Sequence, residues 1–297
     1  MFEGLSVALV TPFKDGALDE PATERLVDFV VRGGADALVV AGTTGEAPAL
    51  TREERRRLYA VVKAANGGRA RLVAGTGTNV TRDTIELTAE ARSAGFDGAM
   101  IVVPYYNKPT PAGLVAHFTA VAQAVDLPLI AYNVPGRTGT NMLPDTVVRI
   151  AQLDSVVAIK EAAGTLDPVS AIRSRCDRTV LSGDDSLTLP MLAVGARGVV
   201  SVVGNVAPRP MRDLLTAFGV GRLVEAEAIH RRLTPLMRAL FLESNPSPAK
   251  SLLADLGILV NELRLPLVPV EPATALAVRD AAKLAGILLP DPTGVAR

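Results

Sequence analysis

Lys160 is the residue whose position is hardest to explain by packing alone. The chain carries only six lysines, and the other five fall in segments that read as loops or helices, where a solvated ammonium is unremarkable. Lys160 instead follows Val156-Val157-Ala158-Ile159, at the end of an apolar run of strand length. An amine held there is poorly solvated, which lowers its pKa and leaves free base to attack a carbonyl. The same residue could equally be structural, paired with Glu161 or another carboxylate. Three of the four tyrosines, Tyr105, Tyr106 and Tyr132, cluster at or just after two other apolar runs. A phenol shuttles protons only when a neighbouring hydroxyl orients it, and tyrosine pairs also pack loops and interfaces. Arg137 lies in the turn Pro135-Gly136-Arg137-Thr138-Gly139, where a guanidinium could grip a carboxylate through two parallel hydrogen bonds or simply face solvent. Thr43, Thr44 and Gly45 offer hydroxyls and backbone N–H groups as a cradle for a small carboxylate, or a plain lead-in to a helix.

Competing chemistries have less to work with. The only histidines, His117 and His230, are far apart in helix-like segments and read as surface or packing residues, so metal-dependent aldol chemistry lacks its ligand cluster and no metal is expected. Cys176 is the lone cysteine and reads as an inert thiol, which argues against an oxidising compartment. No phosphate-binding or dinucleotide motif is present. Lys and Arg total 31 against 31 Asp and Glu, so no excess of charge points to nucleic acid or an anionic membrane. The longest uncharged apolar stretches fall short of the ~20 residues that span a bilayer, and the N-terminus lacks a signal-peptide pattern. A cytoplasmic protein that handles small molecules is the expectation.

The elements that must position these residues are eight short apolar runs rich in Val, Ile and Ala: 7–13, 37–42, 71–76, 98–104, 128–135, 156–162, 179–185 and 198–205. Runs without polar alternation suit strands buried on both faces, as in a parallel sheet. Helical segments lie between them, among them 51–65, 79–94, 111–125 and 144–153. Thr51-Arg52-Glu53-Glu54 resembles a capped N-terminus with an acidic first turn. Strand starts recur every ~20 to 35 residues, the length of a βα unit, and eight units close a barrel. An open doubly wound sheet is the alternative, but no Gly-x-Gly-x-x-Gly fingerprint follows the first strand. After Asn205 the strand signal stops and helices are expected at 208–218, 223–242, 247–256 and 274–285, with prolines 266, 269, 272, 290 and 292 as punctuation. The prediction is an α/β protein, a (β/α)8 TIM barrel over 1–220 with a C-terminal helical extension over 221–297. In such a barrel the reactive groups gather where the strands end, which is where Thr43, Tyr132, Arg137 and Lys160 fall.

Taken in order, Gly42-Thr43-Thr44-Gly45-Glu46, Pro104-Tyr105-Tyr106-Asn107, Tyr132-Asn133-Val134-Pro135, Lys160-Glu161, Ser182-Gly183-Asp184-Asp185, Gly198-Val199-Val200-Ser201 and Asn245-Pro246 resemble the dihydrodipicolinate synthase and N-acetylneuraminate lyase superfamily, from Val7 to about Ala254. Thr43-Thr44 and Arg137 are similar to the synthase branch. The resemblance implies that pyruvate forms a Schiff base with Lys160, becomes an enamine and attacks L-aspartate 4-semialdehyde, giving 4-hydroxy-tetrahydrodipicolinate on the lysine and diaminopimelate pathway without a cofactor. It implies that Tyr132 is the central acid and base, linked through Thr44 to Tyr106 of a neighbouring subunit. Thr43, Thr44 and Gly45 would hold the pyruvate carboxylate and Arg137 that of the semialdehyde, while Gly183 and the Val200 carbonyl would line the pocket. A tight homodimer, paired into a homotetramer, follows from the shared relay. A lysine-binding cleft would correspond to Ala47, Arg52, Arg55, Asn79, Asp83 and Tyr105, and its two guanidinium groups should make inhibition by lysine weak or absent. Two other readings are a pyruvate-releasing lyase acting on a 4-hydroxy-2-oxo acid with the same Lys160 chemistry, and a non-catalytic 2-oxo-acid-binding protein.

Overall fold

The computed structural model describes residues 1–290. Eight parallel strands close a barrel: β1 (Gly4–Ala8), β4 (Ala37–Val40), β5 (Arg71–Gly75), β6 (Gly98–Val102), β7 (Leu129–Asn133), β8 (Val156–Glu161), β9 (Thr179–Ser182) and β10 (Gly198–Ser201). A small antiparallel hairpin, β2 (Phe13–Lys14) with β3 (Ala17–Leu18), follows the first barrel strand. The closed barrel was the expected architecture, and every expected run supplies one strand. The strands end earlier than the apolar runs, because the last residues of each run turn out of the sheet and build the face above it.

The first strand departs most from expectation. It spans Gly4–Ala8 rather than 7–13. Leu9 still donates its N–H to the Val39 carbonyl at 3.0 Å, but the Val10 N–H goes to Asn205 Oδ1 at 3.1 Å. Pro12 then has no N–H to give, and Phe13 enters the hairpin instead. Asn205 also donates to the carbonyls of Ala8 (2.7 Å) and Val202 (3.0 Å), so one buried amide joins the ends of the first and last strands.

Helices α1 (Glu20–Arg32), α2 (Arg52–Asn66), α3 (Thr81–Ser93) and α4 (Pro111–Ala124) cover the first half of the barrel. The reading of Thr51 as a cap holds: its hydroxyl accepts the Glu54 N–H at 3.1 Å, and the Glu54 carboxylate accepts the Thr51 N–H at 3.0 Å. Helices α5 (Pro135–Thr138), α6 (Pro144–Ile150), α7 (Asp167–Arg173) and α8 (Thr188–Ala193) are short. Two apolar layers result, one between strands and helices and one inside the barrel, where Phe2, Ala8, Val39, Ile130, Ala158 and Val200 meet. Phe2 lies under the N-terminal ends of the strands against Gly98, where a Cβ would come within 2.6 Å of its ring.

Four further helices follow among the described residues: α9 (Pro208–Gly219), α10 (Leu223–Ala239), α11 (Ser247–Asp255) and α12 (Pro272–Leu284). Helix α10 packs on α9 and α12 and reaches the turn at Asp185–Leu187. Pro292 and the remainder of 291–297 lie outside the described residues. No helix among the described residues is long and apolar enough to cross a membrane.

Replacing Asn205 with Ala leaves the Val10 N–H and the Ala8 carbonyl buried without partners, at about 1–3 kcal/mol each. Urea unfolding of Asn205→Ala should show a loss of about 3 kcal/mol, and a loss below about 1 kcal/mol would contradict this role for the amide.

Candidate active site

Strand register decides what Lys160 faces. Leu129 pairs with Val156, but Ile130 pairs with Ala158, so Val157 is an extra residue in β8. This bulge puts Lys160 opposite Tyr132 and turns both side chains toward the barrel axis. The Lys160 Nζ lies 3.7 Å from the centre of the Tyr132 ring. Burial drives the Lys160 amine down to about 7, with the Asp185 carboxylate opposing the shift and the Arg137 guanidinium adding to it. Burial also pushes the Tyr132 phenol up to about 12, against the pull of Arg137 and of a hydrogen bond with Thr43. The pair at neutral pH is thus an amine with a large free-base fraction beside a protonated phenol. Pairing of Lys160 with Glu161 does not occur, because neighbouring strand residues face opposite sides. The Glu161 carboxylate accepts from Asn133 Nδ2 at 3.1 Å and from the Ala163 N–H at 2.8 Å, and burial raises it to about 7.

The loop after β4 forms one wall. Gly42 O accepts the N–H groups of Gly45 (3.1 Å) and Ala47 (3.3 Å), and Thr43 O accepts that of Glu46 (3.1 Å). The Gly45 N–H is therefore used inside the turn, while Thr43 and Thr44 line the cavity. Gly45 serves close approach: a Cβ there would lie 3.1 Å from Leu9 O. The Thr44 hydroxyl accepts from Asn245 Nδ2 at 2.9 Å. Gly183 abuts the amine's own stem, since a Cβ would fall 3.0 Å from Lys160 Cε and 2.7 Å from Ala162 Cβ. Val200 is buried in the inner barrel layer beside Ala8 and Leu181. Asp185 accepts from the Ser201 hydroxyl (2.5 Å) and the N–H groups of Val202 (2.9 Å) and Val203 (3.0 Å), which holds its carboxyl in place near Lys160, although burial raises its pKa.

A cavity of about 410 Å³ opens above these groups, lined by Thr43, Thr44, Tyr132, Arg137, Lys160 and Gly183. Helix α10 and the segment that follows it complete the lining through Met237, Arg238, Phe241 and Asn245. Sequence reasoning assigned these residues no part, and only the Asn245-Pro246 motif marked the place. A second cavity of about 300 Å³ shares Thr43, Tyr132 and Arg137 and continues to Ala47, Arg55 and Tyr105. The other members of the expected lysine cleft do not line this cavity. Arg52 lies on the outer face with Glu86 and Glu90, Asp83 pairs with Arg82 at 3.0 Å, and Asn79 offers its carbonyl to Asn107 at 2.8 Å. Arg55 is buried, donating to the carbonyls of Gly75 (2.8 Å) and Ala47 (3.2 Å). Tyr106 holds a left-handed φ of 72° and is 87% exposed, so its phenol is not brought to the cavity of its own chain. His117, by contrast, packs inside, with Thr81 Oγ1 3.0 Å from its Nδ1 and burial lowering it to about 4. The expectation that Lys250 is a solvated helix lysine is overturned: its side chain is fully buried against Glu46.

The model of the Dihydrodipicolinate synthetase family matches residues 1–285. A 4-hydroxy-tetrahydrodipicolinate synthase of Pelobacter propionicus is 49% identical over 276 residues, covering 92% of this chain and 95% of that one. The crystal structure of dihydrodipicolinate synthase from Thermotoga maritima superposes with a TM-score of 0.95 at 44% identity, covering 97% of this chain and all of that one. The enzyme from Cyanidioschyzon merolae, crystallised with lysine bound, gives a TM-score of 0.94 at 43% identity, covering 97% and 99% of the two chains.

Two outcomes follow from the amine's surroundings. Borohydride trapping of a small carbonyl compound on Lys160 should rise with pH through about 7 and then level off, since a lowered pKa leaves the protonated, unreactive form only below that point. A midpoint near the ordinary lysine value would contradict the burial argument. Gly183→Ala should slow the same trapping by about tenfold or more, because the added methyl displaces the Lys160 stem by a few tenths of an ångström; unchanged trapping would show that the stem yields freely.

Proposed function

Since the chain belongs to the dihydrodipicolinate synthetase family, we propose that it condenses pyruvate with L-aspartate 4-semialdehyde to 4-hydroxy-tetrahydrodipicolinate, a step in lysine and diaminopimelate biosynthesis. The observation that carries this reading is the buried Lys160 amine, lowered to about 7, facing Tyr132 in a cavity that also holds Arg137.

The free amine attacks the ketone carbon of pyruvate, and the carbinolamine loses water to an imine. Tyr132, a protonated phenol, supplies the proton that the departing hydroxyl needs. Loss of a methyl proton gives the enamine, whose carbon attacks the aldehyde of the second substrate. That substrate's amino group then attacks the imine carbon, which closes the ring and releases Lys160, with one water lost over the whole reaction. No electrons are gained or lost, and Lys160 itself is the covalent handle, so the chemistry calls for no cofactor. The Thr43 and Thr44 N–H groups and hydroxyls bind the pyruvate carboxylate, with Gly45 shaping their turn. Arg137 binds the semialdehyde carboxylate bidentately, and Gly183 and Val200 give the imine its space. Tyr106, exposed and held outward, completes a Tyr132–Thr44–Tyr106 relay in a neighbouring subunit, which makes the working unit a homodimer and, by pairing, a homotetramer in the cytoplasm. The lyase alternative lacks a use for Arg137.

Intact mass after borohydride treatment with pyruvate, peptide mapping and a coupled assay with the semialdehyde test this together. An adduct on Lys160 with turnover supports the synthase, an adduct without turnover favours a lyase, and no adduct sinks the Schiff-base reading. Lys160→Ala should abolish trapping. Arg137→Ala should lower kcat/KM for the semialdehyde about 100-fold while the pyruvate KM moves less than about threefold, as expected when one charged partner of a carboxylate is removed.

A further inference from the structure

The reading above leaves the most deeply buried ion pair among the described residues without a part in the chemistry. The Lys250 side chain is 0% exposed and that of Glu46 is 1% exposed, and the Lys250 ammonium donates to Glu46 Oε1. Lys250 also donates to the Glu262 carbonyl at 2.8 Å and stands 4.4 Å above the Phe13 ring. The second Glu46 oxygen accepts the Arg264 N–H at 3.0 Å. Glu46 is the residue that closes the Thr43-Thr44-Gly45 turn: its own N–H goes to Thr43 O at 3.1 Å, and its φ is 51°. A non-glycine residue stays in that left-handed region only when its surroundings hold it there. Asn245, five positions before Lys250 in the chain, holds the Thr44 hydroxyl at 2.9 Å. The segment 245–264 therefore grips the turn at Thr44 and, twice, at Glu46.

Packing does not require an ion pair here, because an apolar pair of similar volume often supports a fold as well. What a charge-assisted hydrogen bond adds is direction, fixing one carboxylate in one orientation. We infer that Lys250 is a positioning residue for the Thr43–Thr44 carboxylate cradle, acting through Glu46, so that the C-terminal helices set the geometry in which the 2-oxo acid carboxylate is bound. This rests on the pyruvate reading and adds to it a residue that touches neither substrate nor the reacting amine.

The test compares wild type with Lys250→Met and with the charge-balanced double variant Glu46→Gln, Lys250→Met. For each, the pyruvate concentration that half-saturates borohydride trapping on Lys160 is measured, together with KM for pyruvate and kcat. Both variants should raise the half-saturating pyruvate and its KM by about tenfold, with kcat at saturating pyruvate within about threefold, since binding geometry is loosened before imine chemistry. Folded variants whose pyruvate half-saturation stays within twofold of wild type overturn the inference. Should neither variant fold, hydrogen exchange on wild type decides: coupling is reciprocal, so the trapped pyruvate adduct should slow exchange across 245–264, and unchanged exchange there overturns the inference. Absence of a wild-type adduct would instead remove the pyruvate reading itself, which keeps the two failures apart.

Discussion

Everything about the site depends on keeping one lysine amine out of water without giving it a carboxylate to pair with. A lysine in water is a cation at neutral pH and cannot attack a carbonyl, and a lysine in a close ion pair is held cationic more firmly still. The barrel meets both conditions at Lys160. Closure of eight strands removes water from below, while the alternation of side chains sends the neighbouring Glu161 to the other side of the sheet, where Asn133 and the Ala163 N–H occupy it. Asp185 is near enough to temper the shift but is itself occupied by Ser201, Val202 and Val203. The extra residue Val157 then supplies the register that sets Tyr132 beside the amine.

Much of this was legible in the sequence, and the parts that were not share a cause. Buried parallel strands are written as unbroken runs of Val, Ile and Ala, so eight runs could be counted and the barrel inferred. Lys160 stood out because a cation at the end of such a run is poorly solvated, although the run alone did not separate a nucleophile from a structural lysine. Periodicity, however, needs length: α5, α7 and α8, with four, seven and six residues, are too short to display one. The first strand was misplaced because apolarity continues to Phe13 while the backbone partners run out at Val10, a matter of what Asn205 does from almost 200 residues away. The bulge at Val157 left no mark, since Val156 and Val157 are the same residue type.

Lys250 shows the same limit at a single residue. Its helix carries Ala249, Leu252 and Leu253 on buried positions, which might have warned that the lysine between them was not solvated. What no local pattern contains is Glu46, 204 positions earlier, whose carboxylate makes the burial tolerable. The barrel strands could be read one unit at a time; the joint between the C-terminal helices and the loop after β4 exists only in three dimensions, and with it the lining that Met237, Arg238 and Phe241 give the cavity.

Phe2, seated against Gly98 beneath the strands, has a bearing on traffic. With the barrel axis filled from that end by side chains, the space over Lys160 is closed below and continues toward helix α10 on one side and toward Ala47, Arg55 and Tyr105 on the other. Whatever reacts with the amine must therefore come from the face where the strands end, and the product must leave by that same face before the next round begins.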